Sequence, residues 1–204
     1  MASGERLLRA HRTVLLAPIV EIGGVVNILG GTPTVPILQA FPGQGDTIDV
    51  DILNTWQGVV SDTSANAGVG GNISCAILDD LELGLADSDT DDELTICSIG
   101  NEQTLTTYNV NANFTFMRDE STTDTGVYNL AWNLVKAPDI RYAVIDRIQG
   151  GKTSTDAFAA GDIVSVYEVR TDNPVDITDD GASIKVQQNF IPSGLVAVNI
   201  DVAA

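Results

Sequence analysis

"RYAVIDRIQGGKTSTDAFAAGDIVSVYEVR" spans residues 141–170 and admits two readings that lead to different folds. Gly151-Lys152-Thr153 is the tail of a phosphate-binding P-loop and follows an apolar run, as in an α/β nucleotide-binding unit. That pattern needs a glycine five residues before Gly151, where Asp146 stands. A carboxylate would repel phosphate where backbone amides should cradle it. The segment after Lys152 must also open a helix, yet it reaches Gly161-Asp162 and runs into the alternating "DIVSVYEVR". An antiparallel hairpin with a long connector accounts for both facts.

Working outward, strands recur more often than helices. In "LTTYNVNANFTFM" (105–117), Tyr108, Val110, Ala112, Phe114 and Phe116 fall on one face, with Asn109, Asn111, Asn113 and Thr115 on the other. This is the period-two pattern of a half-buried strand. "DTIDVDIL" (46–53) alternates Ile48, Val50 and Ile52 with Asp49 and Asp51, and also reads as a strand. Shorter β-branched runs lie at 72–78, 93–99, 183–190 and 195–202. Short connectors favour antiparallel pairing, so the expected fold is mainly β, an antiparallel β-sandwich or barrel.

One helix is expected over about 124–136, where Val127, Leu130, Ala131 and Leu134 recur at i, i+3, i+4 and i+7. Asp124 or Thr125 can cap its start and Pro138 stops it. A single amphipathic helix in a β-rich chain should flank the sandwich, with Trp132 off the main stripe. Residues 18–45 mix apolar residues with Gly and Pro, so 1–45 is read as an N-terminal arm and 46–204 as the sandwich domain. The Gly/Ser/Ala-rich stretch 54–71 reads as a long inter-strand loop, in which Trp56, Val59 and Val60 are candidates for contact with another subunit.

The chain has 204 residues, room for one sizeable core, and a formal charge of −18. Between Thr13 and Met117 there is no Lys or Arg, while fourteen acidic residues fall there. Such a surface repels phosphate and excludes a conventional nucleic-acid binder. The first twelve residues lack the apolar core of a signal peptide, and no run of about 18 apolar residues could span a bilayer. Synthesis and assembly in a cytoplasm are therefore expected. There Cys75 and Cys97 should be buried free thiols, a disulfide being the alternative. The sequons at Asn72 and Asn113 are then chance matches.

Residues that would carry chemistry are sparse. His11 is the only histidine, which rules out a histidine-centred triad or a multi-histidine metal site within one chain. The acidic run 87–93 places Asp87, Asp89 and Asp91 like the start of a calcium loop. Asp92 occupies the glycine position and Ser98 the distal glutamate position, so a solvated acidic turn is favoured over a calcium site. No enzyme activity, cofactor or metal is expected.

With the hairpin in place, residues 105–190 resemble the major tail (tail tube) proteins of long-tailed phages, especially those infecting actinobacteria. The resemblance rests on Tyr142, Val144 and Arg147 on one strand, then Phe158, Gly161 and Asp162, then Val164, Val166 and Tyr167 on the next. The preceding "YNLAWNLVKAPDIRY" adds a helix leading into that strand. The resemblance implies a structural virion protein whose copies form hexameric rings that stack into a hollow tube, with double-stranded DNA passing through the lumen. Tail tip and tail terminator proteins would be its partners at the tube ends, and no membrane would be involved. A decoration or spike protein, or less readily a calcium-dependent binding module, is the alternative. Under the tube reading Asp49 and Asp51 are the first lumen candidates and Asn109, Asn111 and Asn113 the second. Arg6, Arg9, Arg12 and Lys152 are candidates for contact with acidic surfaces of a neighbour.

Overall fold

The structure, a computed structural model, describes residues 11–22, 25–28, 39–40, 47–57, 70–87, 89–91, 104–107, 109–121, 126–149, 151–178 and 183–204. In chain order the elements are β1 (Arg12–Ile22), β2 (Val25–Ile28), β3 (Gln39–Ala40), β4 (Ile48–Asp49), α1 (Val50–Gln57), β5 (Gly71–Asn72), β6 (Glu82–Leu85), β7 (Asp89–Asp91) and β8 (Thr104–Thr107). There follow β9 (Val110–Met117), α2 (Val127–Val135), β10 (Arg141–Ile148), β11 (Ile163–Thr171), β12 (Val175–Ile177) and β13 (Lys185–Ala203).

The expected hairpin is present: β10 and β11 pair antiparallel from Arg141↔Arg170 to Asp146↔Ser165. The main sheet runs β2-β1-β10-β11-β13-β9-β6. Its central strands carry apolar side chains on both faces, the pattern of a sheet covered on both sides. On one face Leu16, Tyr142, Val144, Val169 and Val196 pack with Phe114 and Phe116 of β9 and with Leu130 and Leu134 of α2. On the other, Leu15, Ala143, Ile145, Val166 and Ala197 pack with Ile48, with Ile52 and Leu53 of α1, and with Phe158. The architecture is mainly antiparallel β with α2 flanking the sandwich, as the sequence led one to expect.

Strand β13 joins the layers. Its first residues pair with β9, from Lys185↔Met117 to Asn189↔Asn113, and its later ones with β11. Within the ladder with β11 the register shifts twice, and such bulges bend a strand. Pro192 faces Val169 at one of these irregularities, a position where the missing N–H is tolerated. The two runs expected at 183–190 and 195–202 are thus one bent strand of 19 residues.

Several expectations are corrected. The N-terminal arm does not extend through residues 12–22, which form β1 and pair with β10 from Arg12↔Ile148 to Pro18↔Tyr142. The run expected as a strand at 46–53 is strand only at Ile48–Asp49 and then turns into α1. Asp49 Oδ1 accepts from the Asp51 N–H at 2.8 Å, which starts the turn. Ile48, Ile52, Leu53 and Trp56 then fall at helical spacing on the buried side. The loop expected at 54–71 loses residues 54–57 to the same helix; Val59 and Val60 lie outside the described residues.

At 72–78 Asn72 ends β5 opposite Leu15 and its Oδ1 accepts from the Ser74 N–H and hydroxyl, folding a turn where the strand was expected to continue; Ile77 then makes an isolated bridge to Phe116. Of the acidic run, Asp89–Asp91 pair with β8 as a two-stranded sheet, not an open turn. Tyr108, Cys97, Asp124, Thr125 and the run 93–99 lie outside the described residues. Cys75, expected buried, is an exposed free thiol.

Because Leu16 of β1 is fully buried, Leu16→Ala should destabilise the chain by roughly 2–5 kcal/mol in urea unfolding. A change below about 0.5 kcal/mol, the size expected of a surface site, would return residues 12–22 to the status of an arm.

Candidate functional site: a buried arginine beneath the 149–162 loop

Arg147, near the end of β10, points to the α1 side of the sheet and is fully buried. Its Nη1 donates to the Ala157 carbonyl at 3.2 Å and to Asp162 Oδ2 at 3.3 Å. Its Nη2 donates to Thr13 Oγ1 at 3.0 Å and to the carbonyls of Thr153 and Asp156, both at 2.9 Å. The guanidinium carbon sits 4.2 Å from the Phe158 ring centroid. A planar fork bonded at its edge and stacked on its face is a task for arginine that lysine cannot perform.

The loop between β10 and β11 is wrapped around this group. Asp162 Oδ2 also accepts from Lys152 Nζ at 2.9 Å and from the Ala159 N–H at 3.1 Å. Asp156 Oδ2 closes a tight turn on the Thr153 N–H at 2.6 Å. From α1, Asn54 brackets Phe158 by accepting from its N–H at 2.8 Å and donating to its carbonyl at 3.1 Å. Gln57 and Asn72 both donate to the Ser154 carbonyl. Gly161, at φ +86°, makes the left-handed turn that returns the chain to β11. Side chains thus satisfy the loop's backbone carbonyls, and the loop is as much a part of the fold as the strands it joins.

Charges here are set by burial and pairing. Burial pushes the Asp162 carboxyl up, but Lys152, the Ala159 N–H and Arg147 outweigh it and hold the group below its ordinary value of 3.8. Burial pulls the Arg147 guanidinium below the usual arginine value, opposed by Asp162. On the opposite face Asp146 receives a two-pronged bond from Arg12, both contacts at 2.8 Å. Its burial outweighs that pairing and leaves its pKa raised.

Arg147, Phe158, Gly161 and Asp162 are among the residues on which the sequence resemblance rested, and their contacts give that part of the pattern a structural reason. The family described as phage tail tube protein matches residues 54–204. The chain belongs to the phage tail tube protein family. It is accordingly a structural component of the virion tail. The match extends the resemblance toward the N-terminus from residue 105 to residue 54, without assigning a host group. Comparison with curated proteins and with solved structures returned no match.

The tail tube protein's expected site residues are scattered. Asp49 and Asp51 are both exposed but do not share a strand face, since one ends β4 and the other lies in the first turn of α1. Asn111 is exposed, Asn109 donates to the Asp87 carbonyl at 2.9 Å, and Asn113 donates to Glu82 Oε2 at 3.3 Å. These three line one face of the β9 region, with Val110, Ala112 and Phe114 buried on the other, as expected. Trp56 is half-buried in α1 against the second core, not held out on a loop. Lys152, expected as an exposed loop cation, is turned back onto Asp162, and Arg12 is turned onto Asp146. Arg6 and Arg9 lie outside the described residues. The buried hub itself went unassigned in the sequence, where Arg147 entered only as one of the residues carrying the resemblance.

Asp162→Asn removes the charge opposite a buried guanidinium and should cost roughly 3–5 kcal/mol at neutral pH. Because the Asp162 pKa is depressed, its contribution is fully present above 3.8 and is lost as pH falls through the lower folded value. Urea titrations of wild type and variant should therefore converge on acidification below pH 4. A difference that stays constant down to pH 2, or widens, contradicts the ion-pair account.

Proposed function

We propose that six copies of this chain close into a ring, that rings stack head to tail into a hollow tube, and that double-stranded DNA passes through the bore during ejection. The family match over residues 54–204 carries this reading. The open sheet supports it. Among the described residues its path ends at β2 and β6, and unpaired strand edges are surfaces on which a neighbouring copy can continue the ladder. Contacts that do not close upon themselves generate open filaments, the symmetry a tube requires.

Charge supports the passage of DNA. Six copies at −18 each would carry roughly −108 before counterions bind. A bore with no cationic minima lets a polyanion slide without sticking. Asp49 and Asp51 remain the first candidates for its wall, with Asn109, Asn111 and Asn113 second. Assembly would take place in the host cytoplasm, and tail tip and tail terminator proteins would cap the two ends. Val59, Val60, Arg6 and Arg9 remain candidates for contacts between copies. Arg12 and Lys152 would contribute there only by leaving Asp146 and Asp162.

Electron microscopy of the purified protein at high concentration tests the reading. Rings or tubes of uniform bore are expected, with Asp49 and Asp51 on the inner wall of a reconstructed tube. A strictly monomeric protein at every concentration contradicts the assembly. Tubes with both carboxylates on the outer wall contradict the lumen assignment alone.

A further inference from the structure

A groove of about 620 Å³ opens beside the start of β1. Its apolar lining is Val14 of β1 with Ile77, Leu78 and Leu81 from the segment between β5 and β6. Val14 is buried, but the other three are only half-buried, so an apolar strip faces solvent. Ile77 and Leu81 pack against the first core, and Ile77 also bridges to Phe116. The exposed Cys75 borders the strip. Among the described residues that line the groove, the charged ones are Arg12 and Asp79. Arg12 is already bonded at both prongs to Asp146. Asp79 is followed by Asp80 and Glu82, and all three are exposed. They lie in the part of the chain, from Thr13 to Met117, that carries no lysine or arginine.

The sequence supplies an occupant of matching chemistry. Residues 1–10 read MASGERLLRA, in which Leu7-Leu8 is flanked by Arg6 and Arg9. An apolar pair between two cations complements an apolar strip beside carboxylates. Besides Arg12, these two arginines are the only cations before Arg118. The segment is also delivered to the groove, because it leads into Arg12, which borders it. From Leu8 to Arg12 the chain can span at most about 14 Å, so the two leucines stay close to the strip. A segment tethered this closely meets its groove at an effective concentration on the order of millimolar, which a second copy at lower concentration does not match.

We propose that residues 6–9 dock in the groove of their own chain, Leu7 and Leu8 on Ile77, Leu78 and Leu81, with Arg6 and Arg9 toward Asp79 and Asp80. Docking covers the apolar strip together with Cys75 and places two cations against the cation-free half of the subunit. The contact belongs to the single chain and does not rest on the tube reading. Arg6 and Arg9 can serve contacts between copies only by leaving the groove, so docking holds those contacts back until a neighbour competes for the segment.

The full chain carrying Cys97→Ser, which leaves Cys75 as its one thiol, reads the docking in two ways. Adding Leu7→Asp and Leu8→Asp should speed modification of Cys75 by a maleimide about tenfold or more, because the segment no longer covers it. Separately, Leu7→Cys or Leu8→Cys in the same background should form a disulfide with Cys75 under diamide. That bond should lie within one chain and form in equal yield at every protein concentration. Interchain dimers that grow with concentration, in place of the intrachain bond, assign the groove to a second copy's segment and overturn the proposal. A Cys75 rate unchanged by the aspartates, or no disulfide from either cysteine variant, overturns docking altogether. Both readouts are taken on the unassembled chain, so a failure to form tubes bears only on the tube reading.

Discussion

A guanidinium with no exposure to solvent is costly unless every charge and dipole around it is arranged in advance, and Arg147 imposes that demand on its surroundings. It draws Thr153, Asp156 and Ala157 inward by their carbonyls, Asp162 by its carboxylate and Phe158 by its ring. Thr13 on β1 completes the set. The loop conformation, the seating of α1 through Asn54, and the alignment of β1 with β10 therefore answer to one side chain. A long connector, normally the softest part of a β domain, becomes a fixed surface at one end of the sheet.

The sheet explains why such an anchor can exist. Central strands covered on both faces hold the guanidinium away from bulk solvent, where its bonds to the loop are strong. Above and below it, the ladder of β10 and β11 carries residues of two separate cores on alternate sides. Bending β13 at its bulges lets one strand serve both layers. Five of the chain's ten cations lie at the two ends of this ladder, beside Asp146, Asp162, Glu168 and Asp139.

Much of this was legible from residue spacing alone. The hairpin at 141–170 followed from Asp146 and Gly161-Asp162, and α2 from its apolar stripe. The alternation from Val110 to Phe116 located a strand with one wet face. What escaped had physical causes. Arg12–Ile22 is a strand buried on both faces at Leu15, Leu16 and Ala17, so it lacks alternation and resembles an apolar linker interrupted by Pro18. Residues 48–56 satisfy period two and the helical period together, and Asp49, placed to start a turn, tips the balance toward α1. Lys152 was read as a contact for a neighbour because its partner, Asp162, comes into reach only once the loop has folded back on itself.

The central claim is that the 149–162 loop is held as firmly as the strands because Arg147 lies beneath it, and amide hydrogen exchange of the wild-type chain tests it most directly. The amides of Thr153, Phe158 and Ala159, bonded to Asp156, Asn54 and Asp162, should exchange as slowly as those of β10 and β11 and only on cooperative opening of the sheet. Exchange of these three amides at the rates of an unstructured loop, while the strands stay protected, would contradict it.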